Sequence, residues 1–381
     1  MSSFSFFFLW ISFDFFILFP LFILHAGGNS VDVGLMEVVF FIPSVLVRPM
    51  FGWLVDRFGR LKVLWAGTAL MILSSLAFSF LHGAYVEIRG MIATILLIRG
   101  CGFAAFYTSF FTFIADLTSP ENRSRILGLF GVSGLVAHGL APWIGNMVLQ
   151  RFDFRGFFLA SSALSAISMV LSVFLTEIQE KFTHQGTPVA LLKSVTFSRK
   201  NLIFLPGAFV FGYLVASFNT FGAAYFESLN GVNSIGRFFL VYGLFAGVFR
   251  VLFGGIADRY PRQKLIALAF ALEGVGIALI VIHPVQYFAM AAAAICGASH
   301  ALVYPALTAM AIDAHSNARG VVTSIFTAMI EFGYSLGSYA LGWVIAVSSY
   351  SAMFVSCAVF ALLFAAYVLF YRQPETSEAL I

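Results

Sequence analysis

The sequence predicts an all-α membrane protein whose twelve transmembrane helices form two pseudo-symmetric six-helix bundles. Three features carry this prediction: composition, the spacing of apolar runs and an internal repeat. The 381 residues are 61% hydrophobic and only 10% charged, with a mean hydropathy of +0.96. Soluble domains are about 25% charged because their surface must be covered by polar groups. Lipid is therefore the expected solvent for this chain.

Twelve apolar runs are each long enough to cross a bilayer, which takes about 20 residues. A longer polar stretch, residues 177–200, separates the first six runs from the last six and reads as a linker. We therefore expect bundles at 1–176 and 201–381. The predicted spans lie near 4–25, 33–55, 63–82, 90–115, 126–149, 155–176, 201–226, 235–257, 265–283, 287–312, 320–346 and 350–371.

The basic residues predict the orientation of these spans. Fourteen of the 21 Lys and Arg residues fall in one set of loops and the C-terminal tail, four fall in the opposite loops, and three lie inside spans. Cytoplasmic loops carry the excess of Lys and Arg. We therefore expect a multi-pass protein of the cell (inner or plasma) membrane with both termini in the cytoplasm.

Several other classes of protein are disfavoured. The three cysteines are widely separated and buried in apolar runs, and no motif of a hydrolase, a metalloenzyme, a phosphate-binding loop or a haem protein is present. Methionine and histidine are absent from spans 7 and 8, which disfavours transport of free metal ions. We expect no enzymatic activity, no cofactor, no bound metal and no nucleic-acid partner.

Charged residues repeat between the two halves. The stretch R-P-M-F-G-W-L-V-D-R-F-G-R (48–60) has its counterpart in R-V-L-F-G-G-I-A-D-R-Y-P-R (250–262), at an offset of 202 residues. A second match has an offset of 197 and pairs spans 4 and 10. It aligns Gly100, Ala104, Tyr107 and Asp116 with Gly297, Ala301, Tyr304 and Asp313. Such duplication is common in transporters, which bind their substrate between the repeats.

The stretch G-W-L-V-D-R-F-G-R-L-K resembles the signature of the major facilitator superfamily in the loop between spans 2 and 3, and its second copy departs from it at Pro261. The resemblance implies transport by alternating access and a cytoplasmic gate. We expect Gly52 to let spans 2 and 11 approach closely. The gate residues are then Gly52, Asp56, Arg57, Arg60, Asp116, Gly254, Asp258, Arg259 and Arg262. The alternative is that the basic residues only fix the topology.

Ionisable residues inside spans suggest function. Asp14 and Arg99 are expected at mid-membrane in spans 1 and 4, which line the central cavity in the resembled family, and we predict that they pair while Asp14 exchanges protons. L-I-R-G-C-G-F-A-A is a partial match to the R-x-x-x-G motif of proton-coupled members, with Phe103 at the glycine position. A static ion pair between two helices is the alternative.

His300 and Glu331 form a second predicted pair, in spans 10 and 11. For each of them a structural role is the alternative to carrying a proton. We interpret His138 as a helix-contact residue and Arg48 and Arg250 as structural. Four tyrosines are expected to line the cavity: Tyr107, Tyr213, Tyr225 and Tyr304.

These residues predict a monomeric secondary active transporter that moves a small organic solute and is coupled to protons. Span 5 retains Pro142 and Gly145 of the G-P-x-x-G-G motif of antiporters, which favours efflux. A proton-coupled importer, an uncoupled facilitator of a metabolite and a transporter of a metal chelate remain as alternatives.

Overall fold

The computed structural model describes residues 2–117, 123–176, 201–229, 234–253, 260–282, 286–314 and 319–371, and within these ranges the secondary structure is helical. Gly254, Asp258, Arg259 and the predicted linker 177–200 lie outside the described residues. The spans are Ser2–His25, Ser30–Phe58, Arg60–Phe78, Tyr85–Asp116, two within Arg123–Val173, Phe204–Ser228, Ser234–Phe253, Arg262–Ile282, Gln286–Ala314, Arg319–Val347 and Tyr350–Phe370.

Eleven helices in the described part of the chain are long and apolar enough to cross a membrane, and one of them is long enough for two crossings. This helix bends at Asp153, which has a φ of 59°. The Asp153 carboxylate accepts hydrogen bonds from the backbone N–H groups of Arg155 (2.7 Å) and Gly156 (3.2 Å). It therefore caps the start of span 6, and the count of spans is consistent with the predicted twelve.

Span 1 is irregular at its centre. An α-helix ends at Asp14, a 3₁₀ turn occupies Phe15–Leu18, and a second α-helix begins at Phe19 with Pro20 in its first turn. Proline lacks the N–H that would continue the α-helical pattern, and a short 3₁₀ stretch inside a helix often marks a hinge or a strained segment. The irregularity places Asp14 at the junction.

The predicted repeat is confirmed by contacts that recur in both halves. The matched glycines of spans 4 and 10 lie against the backbone of positions 40 and 242, which differ by the offset of 202. Three kinds of contact recur. Gly100 lies on Phe40 as Gly297 lies on Tyr242, and Arg60 pairs with Asp116 as Arg262 pairs with Asp313. Arg48 lies over the Tyr107 ring as Arg250 lies over the Tyr304 ring. The two offsets thus align true structural equivalents.

The loop between spans 2 and 3 shows why the motif contains glycine. Gly59 has a φ of 97°, a conformation that L side chains rarely adopt, and its N–H bonds to the Val55 carbonyl at the end of span 2. In the second half Pro261 precedes span 9, and its carbonyl accepts the N–H of Leu265. Proline fixes φ near −65°, so the second turn is built differently.

The two halves meet along spans 2 and 11 and along spans 5 and 8. We call the face that carries the loop at Gly59 the basic face, and the face at Ser30 the opposite face. Near the opposite face, Gly34 and Gly342 lie directly against the backbone of the facing helix, and the Ser30 hydroxyl donates to the Gly342 carbonyl at 2.8 Å. The His25 imidazole lies 3.1 Å from Glu227, which joins the ends of spans 1 and 7.

Near the basic face the halves separate. Gly139 and Gly243 are in backbone contact at mid-membrane, whereas Gly247, about one turn further along span 8, has open space around it. The separation forms a crevice of about 490 Å³ that is lined by apolar residues of spans 5 and 8, among them Val132 and Val251.

The expectation that Gly52 packs tightly against span 11 is wrong for this conformation, because a Cβ at Gly52 would meet nothing within 4 Å. The glycines that allow close approach are Gly34 and Gly342, at the other end of the same pair of helices. The protein is therefore closed at the opposite face and open at the basic face.

We predict that Gly34→Leu opens the opposite face, since the new side chain has no room against span 11. Gly52→Leu is the matched control because it enters open space. A Ser30→Cys reporter in a background without native cysteines is expected to be protected from a membrane-impermeant maleimide alone and with Gly52→Leu, and labelled with Gly34→Leu. Equal labelling in all three proteins would contradict the packing described here.

Candidate functional site

An ion pair between Arg48 of span 2 and Glu331 of span 11 joins the two halves at mid-membrane. The two side chains are 15% and 10% exposed. Ser44 lies between them: its hydroxyl accepts from Arg48 at 3.2 Å and donates to Glu331 at 3.4 Å. The predicted pairing of Glu331 with His300 is wrong, because Glu331 faces span 2 and its partner there is Arg48. From the sequence we interpreted Arg48 as a structural residue.

A row of four side chains extends from this pair into the second bundle. The Arg48 guanidinium lies 5.0 Å from the centre of the Tyr107 ring, and that of Arg250 lies 5.6 Å from the centre of the Tyr304 ring. The two tyrosines are within hydrogen-bonding reach of each other. The repeat thus brings two equivalent arginine–tyrosine pairs together at the interface between the halves, where a cation over an aromatic ring is stabilised.

Asp14 pairs with His138. The predicted pairing of Asp14 with Arg99 is wrong. The His138 Nδ1 lies 3.2 Å from Asp14 Oδ2, and the Asp14 residue is only 4% exposed. Arg99 instead approaches the backbone of span 1 at Ser12, two positions earlier. Side chains two positions apart point in different directions around a helix, so Arg99 and the Asp14 carboxylate lie on different sides of span 1.

Arg99 is completely buried inside the first bundle. It donates to the Ser75 hydroxyl at 2.8 Å and to the Ser12 carbonyl at 3.2 Å, and its guanidinium lies 3.5 Å from the centre of the Phe16 ring. The serines around it also join spans 1 and 6, with Ser12 Oγ and Ser165 Oγ 2.7 Å apart. Arg99 therefore has the surroundings of a residue that packs three helices together.

His138 connects Asp14 to the second bundle. Its ring packs 5.5 Å from that of Tyr242 in span 8, and the Tyr242 hydroxyl is hydrogen-bonded to Nδ1 of His300 in span 10. We call Asp14, His138, Tyr242 and His300 the four-residue chain. Sequence reasoning missed the place of His138 in it, although a titratable residue in an apolar span was the signal that could have found it.

Glu273 of span 9 lies beyond the end of this chain. It is fully buried, and neither carboxyl oxygen has a hydrogen-bond partner among the described residues. Its neighbours include Tyr242, Cys296 and Ser299. The named neighbours of Glu273 are therefore neutral side chains.

Two of the four predicted cavity tyrosines lie elsewhere. Tyr213 packs on Gly337 and on the Phe360 ring, and Tyr225 packs on Phe354 while its hydroxyl donates to the Ile280 carbonyl. Both are therefore contacts within the second bundle.

The predicted gate charges pair within each half in this conformation. Arg60 Nε lies 2.8 Å from Asp116 Oδ2, and each side chain is 10% exposed. In the second half Arg262 pairs with Asp313 and donates to the Ala309 carbonyl at 2.9 Å. Arg57 lies over the Trp53 ring at 5.0 Å. In this open state the two ion pairs link the first residues of spans 3 and 9 to the ends of spans 4 and 10.

We predict that Glu331→Met and Arg48→Met each lower stability by about 3–5 kcal/mol, because each leaves the remaining buried charge without its partner. The double variant is expected to be close to the wild type, since both charges are then removed. Thermal unfolding of the purified proteins in one detergent tests this. Additive losses in the double variant would show that the two residues act independently.

Comparison with known proteins agrees with this geometry. The sequence profile of the Major Facilitator Superfamily matches residues 1–236 and 204–380. Multidrug resistance protein 2 of Bacillus subtilis (strain 168) is 22% identical over 336 residues, 85% of this chain and 81% of that protein. Multidrug resistance protein 1 of the same organism is 30% identical over 206 residues, which covers 54% of this chain and 49% of the relative.

Solved structures share the fold. A mutant form of the nucleoside transporter NupG superposes with a TM-score of 0.82 at 14% identity, covering 97% of both chains. A mutant form of the peptide transporter POT with bound sulfate has a TM-score of 0.77 at 14% identity and covers 97% of this chain and 92% of its own. With the profile match across nearly the whole sequence, these findings show that the chain is a membrane transporter, not an enzyme, and belongs to the major facilitator superfamily.

Proposed function

We propose that this protein exports a small organic solute across the cytoplasmic membrane in exchange for protons, working as a monomer. The observation that carries the proposal is the four-residue chain, in which a buried carboxylate has a histidine as its partner. Arginine stays charged at all physiological pH values, whereas histidine gains and loses a proton near neutral pH. A proton can therefore move within the Asp14–His138 pair. If the partner of Asp14 were an arginine, protonating Asp14 would leave a buried positive charge without a counter-ion.

The four-residue chain also links protonation of Asp14 and His138 to the relative motion of the two bundles. Asp14 and His138 belong to the first bundle, and Tyr242 and His300 to the second. A change of protonation in one bundle alters a contact with the other, which is what coupling requires. Glu331 offers a second route, because protonating it would release Arg48 from the ion pair that joins spans 2 and 11.

Alternating access would come from rocking residues 1–176 against residues 201–381. The excess of Lys and Arg favours a cytoplasmic location for the basic face, and with that orientation the conformation described here is inward-open. Closing that face would bring Gly52 toward span 11. The charged gate residues would then latch it: Asp56, Arg57, Arg60 and Asp116 in the first half, and Asp258, Arg259 and Arg262 in the second, where Gly254 is the counterpart of Gly52.

Three observations favour an amphipathic organic solute and efflux. The interface between the halves is rich in aromatic side chains, with Tyr107 packed against Trp10 and Phe111. Two relatives are named as multidrug resistance proteins, and span 5 keeps Pro142 and Gly145 of the antiporter motif. An uncoupled facilitator and a proton-coupled importer are the outcomes that the following experiment separates from efflux.

We predict that solute binding releases protons from the wild type and not from Asp14→Asn or His138→Gln. Purified protein would be screened by thermal shift against drugs, sugars, organic acids, amino acids and metal chelates. Protons would then be counted with a pH dye in weak buffer for each compound that binds. Glu87→Gln is the matched control, because Glu87 is an exposed carboxylate at the opposite face.

Release of protons by the wild type and by Glu87→Gln, but not by Asp14→Asn or His138→Gln, supports antiport through the Asp14–His138 pair. Uptake in place of release would indicate symport. Binding with no proton signal in any of the proteins would overturn proton coupling and favour facilitated diffusion.

A further inference from the structure

We infer that Arg250 is the binding site for an anionic group on the transported solute, so that the substrate is an amphipathic organic anion such as an aryl carboxylate. The inference rests on the proposed transport of a small organic solute through this interface. It does not depend on the direction in which protons move.

The argument starts from a broken symmetry. Arg48 and Arg250 occupy equivalent positions, and each lies over the equivalent tyrosine of its own half. Arg48 is neutralised by Glu331 of span 11. Span 5 is the counterpart of span 11, and there Arg250 faces Gly131: a Cβ at this glycine would lie 3.9 Å from the nearer guanidinium nitrogen. In the described part of the chain no acidic side chain forms an ion pair with Arg250.

Among the described residues, the neighbours of Arg250 from span 10 do not supply a negative charge. Span 10 contributes Tyr304, His300 and the Ala301 carbonyl, which accepts one hydrogen bond at 3.3 Å. A guanidinium has five N–H donors. The side chain is half-buried, and an uncompensated charge at this depth is unfavourable. Among the described residues, the site therefore has a cation that uses only part of its hydrogen-bonding capacity and that has no acidic partner.

The surroundings suit a ligand with an apolar body. Tyr304 packs on Phe326, and Tyr107 packs on Trp10 and Phe111. A flat ring could stack on these aromatic side chains, while a carboxylate or sulfonate accepts paired hydrogen bonds from the guanidinium.

The competing explanation is that Arg250 only holds span 10 through the Ala301 carbonyl. Gly131 allows a test that leaves Arg250 in place. Gly131→Glu would give Arg250 the ion pair that Arg48 already has, and Gly131→Gln introduces a side chain of the same size without charge. Arg250→Gln and Arg250→Lys complete the set, and Arg151→Gln, an exposed arginine, is the control.

The probes would be 2-naphthoate, 2-naphthamide and 2-naphthylmethylamine, which share a ring system and carry charges of −1, 0 and +1. Their dissociation constants would be measured by calorimetry at pH 7. We expect the wild type, Arg151→Gln and Gly131→Gln to bind the carboxylate about tenfold more tightly than the amide, as a charge-assisted hydrogen bond implies. Gly131→Glu and Arg250→Gln should lose that preference, and Arg250→Lys should retain part of it.

Equal binding of the three probes by the wild type, or binding of none of them, would overturn the inference. So would a preference for the carboxylate that survives in folded Gly131→Glu and Arg250→Gln. Proton exchange on naphthoate binding is recorded separately. A charge preference without proton exchange would leave the anion site standing and remove proton coupling.

Discussion

A charged side chain inside a lipid bilayer must find its partner within the protein, and this constraint determines how the helices of this transporter contact one another. Arg48 and Glu331 satisfy it across the two halves, and Asp14 and His138 satisfy it within the first. Arg99 satisfies it with a serine, a carbonyl and an aromatic ring. The three arrangements differ in what they permit. An ion pair between halves can break during rocking, and a carboxylate–histidine pair can transfer a proton. Arg99, which is completely buried inside one bundle, holds three helices together.

The duplication determines where these groups lie. It brings an arginine of spans 2 and 8 over a tyrosine of spans 4 and 10, so that both arginines come near the same interface. Divergence between the halves then supplies the function. In the part of the chain that the structure describes, no acidic counterpart of Glu331 faces Arg250, and the four-residue chain has no equivalent in the other half. A symmetric framework thus carries an asymmetric site, which is suited to binding a solute with one charged end.

The sequence was sufficient for the spans, the bundles and the repeat, because apolar run length and constant offsets are properties of the chain alone. Arg60 and Asp116 were both predicted as gate residues, and they lie in contact. The partners of Asp14 and Glu331 were not predictable, since each residue turns a helix by 100° and the 3₁₀ turn after Asp14 shifts the register. Whether Gly52 contacts span 11 depends on the conformation. A small residue allows two helices to approach, but the sequence does not determine which end of the helix pair is closed in a given conformational state.

Distance measurements between the two bundles test most directly whether protonation of the four-residue chain drives the motion. Spin labels would be attached at Leu117→Cys and Ala314→Cys, which are equivalent positions at the basic-face ends of spans 4 and 10. Pulsed electron paramagnetic resonance then measures the distance between them and so reports the opening of that face. The account predicts that lowering the pH from 8 to 5 shifts the distance distribution in the wild type, and that the shift is absent in Asp14→Asn and His138→Gln. A shift of the same size in all three proteins, or in none, would contradict it.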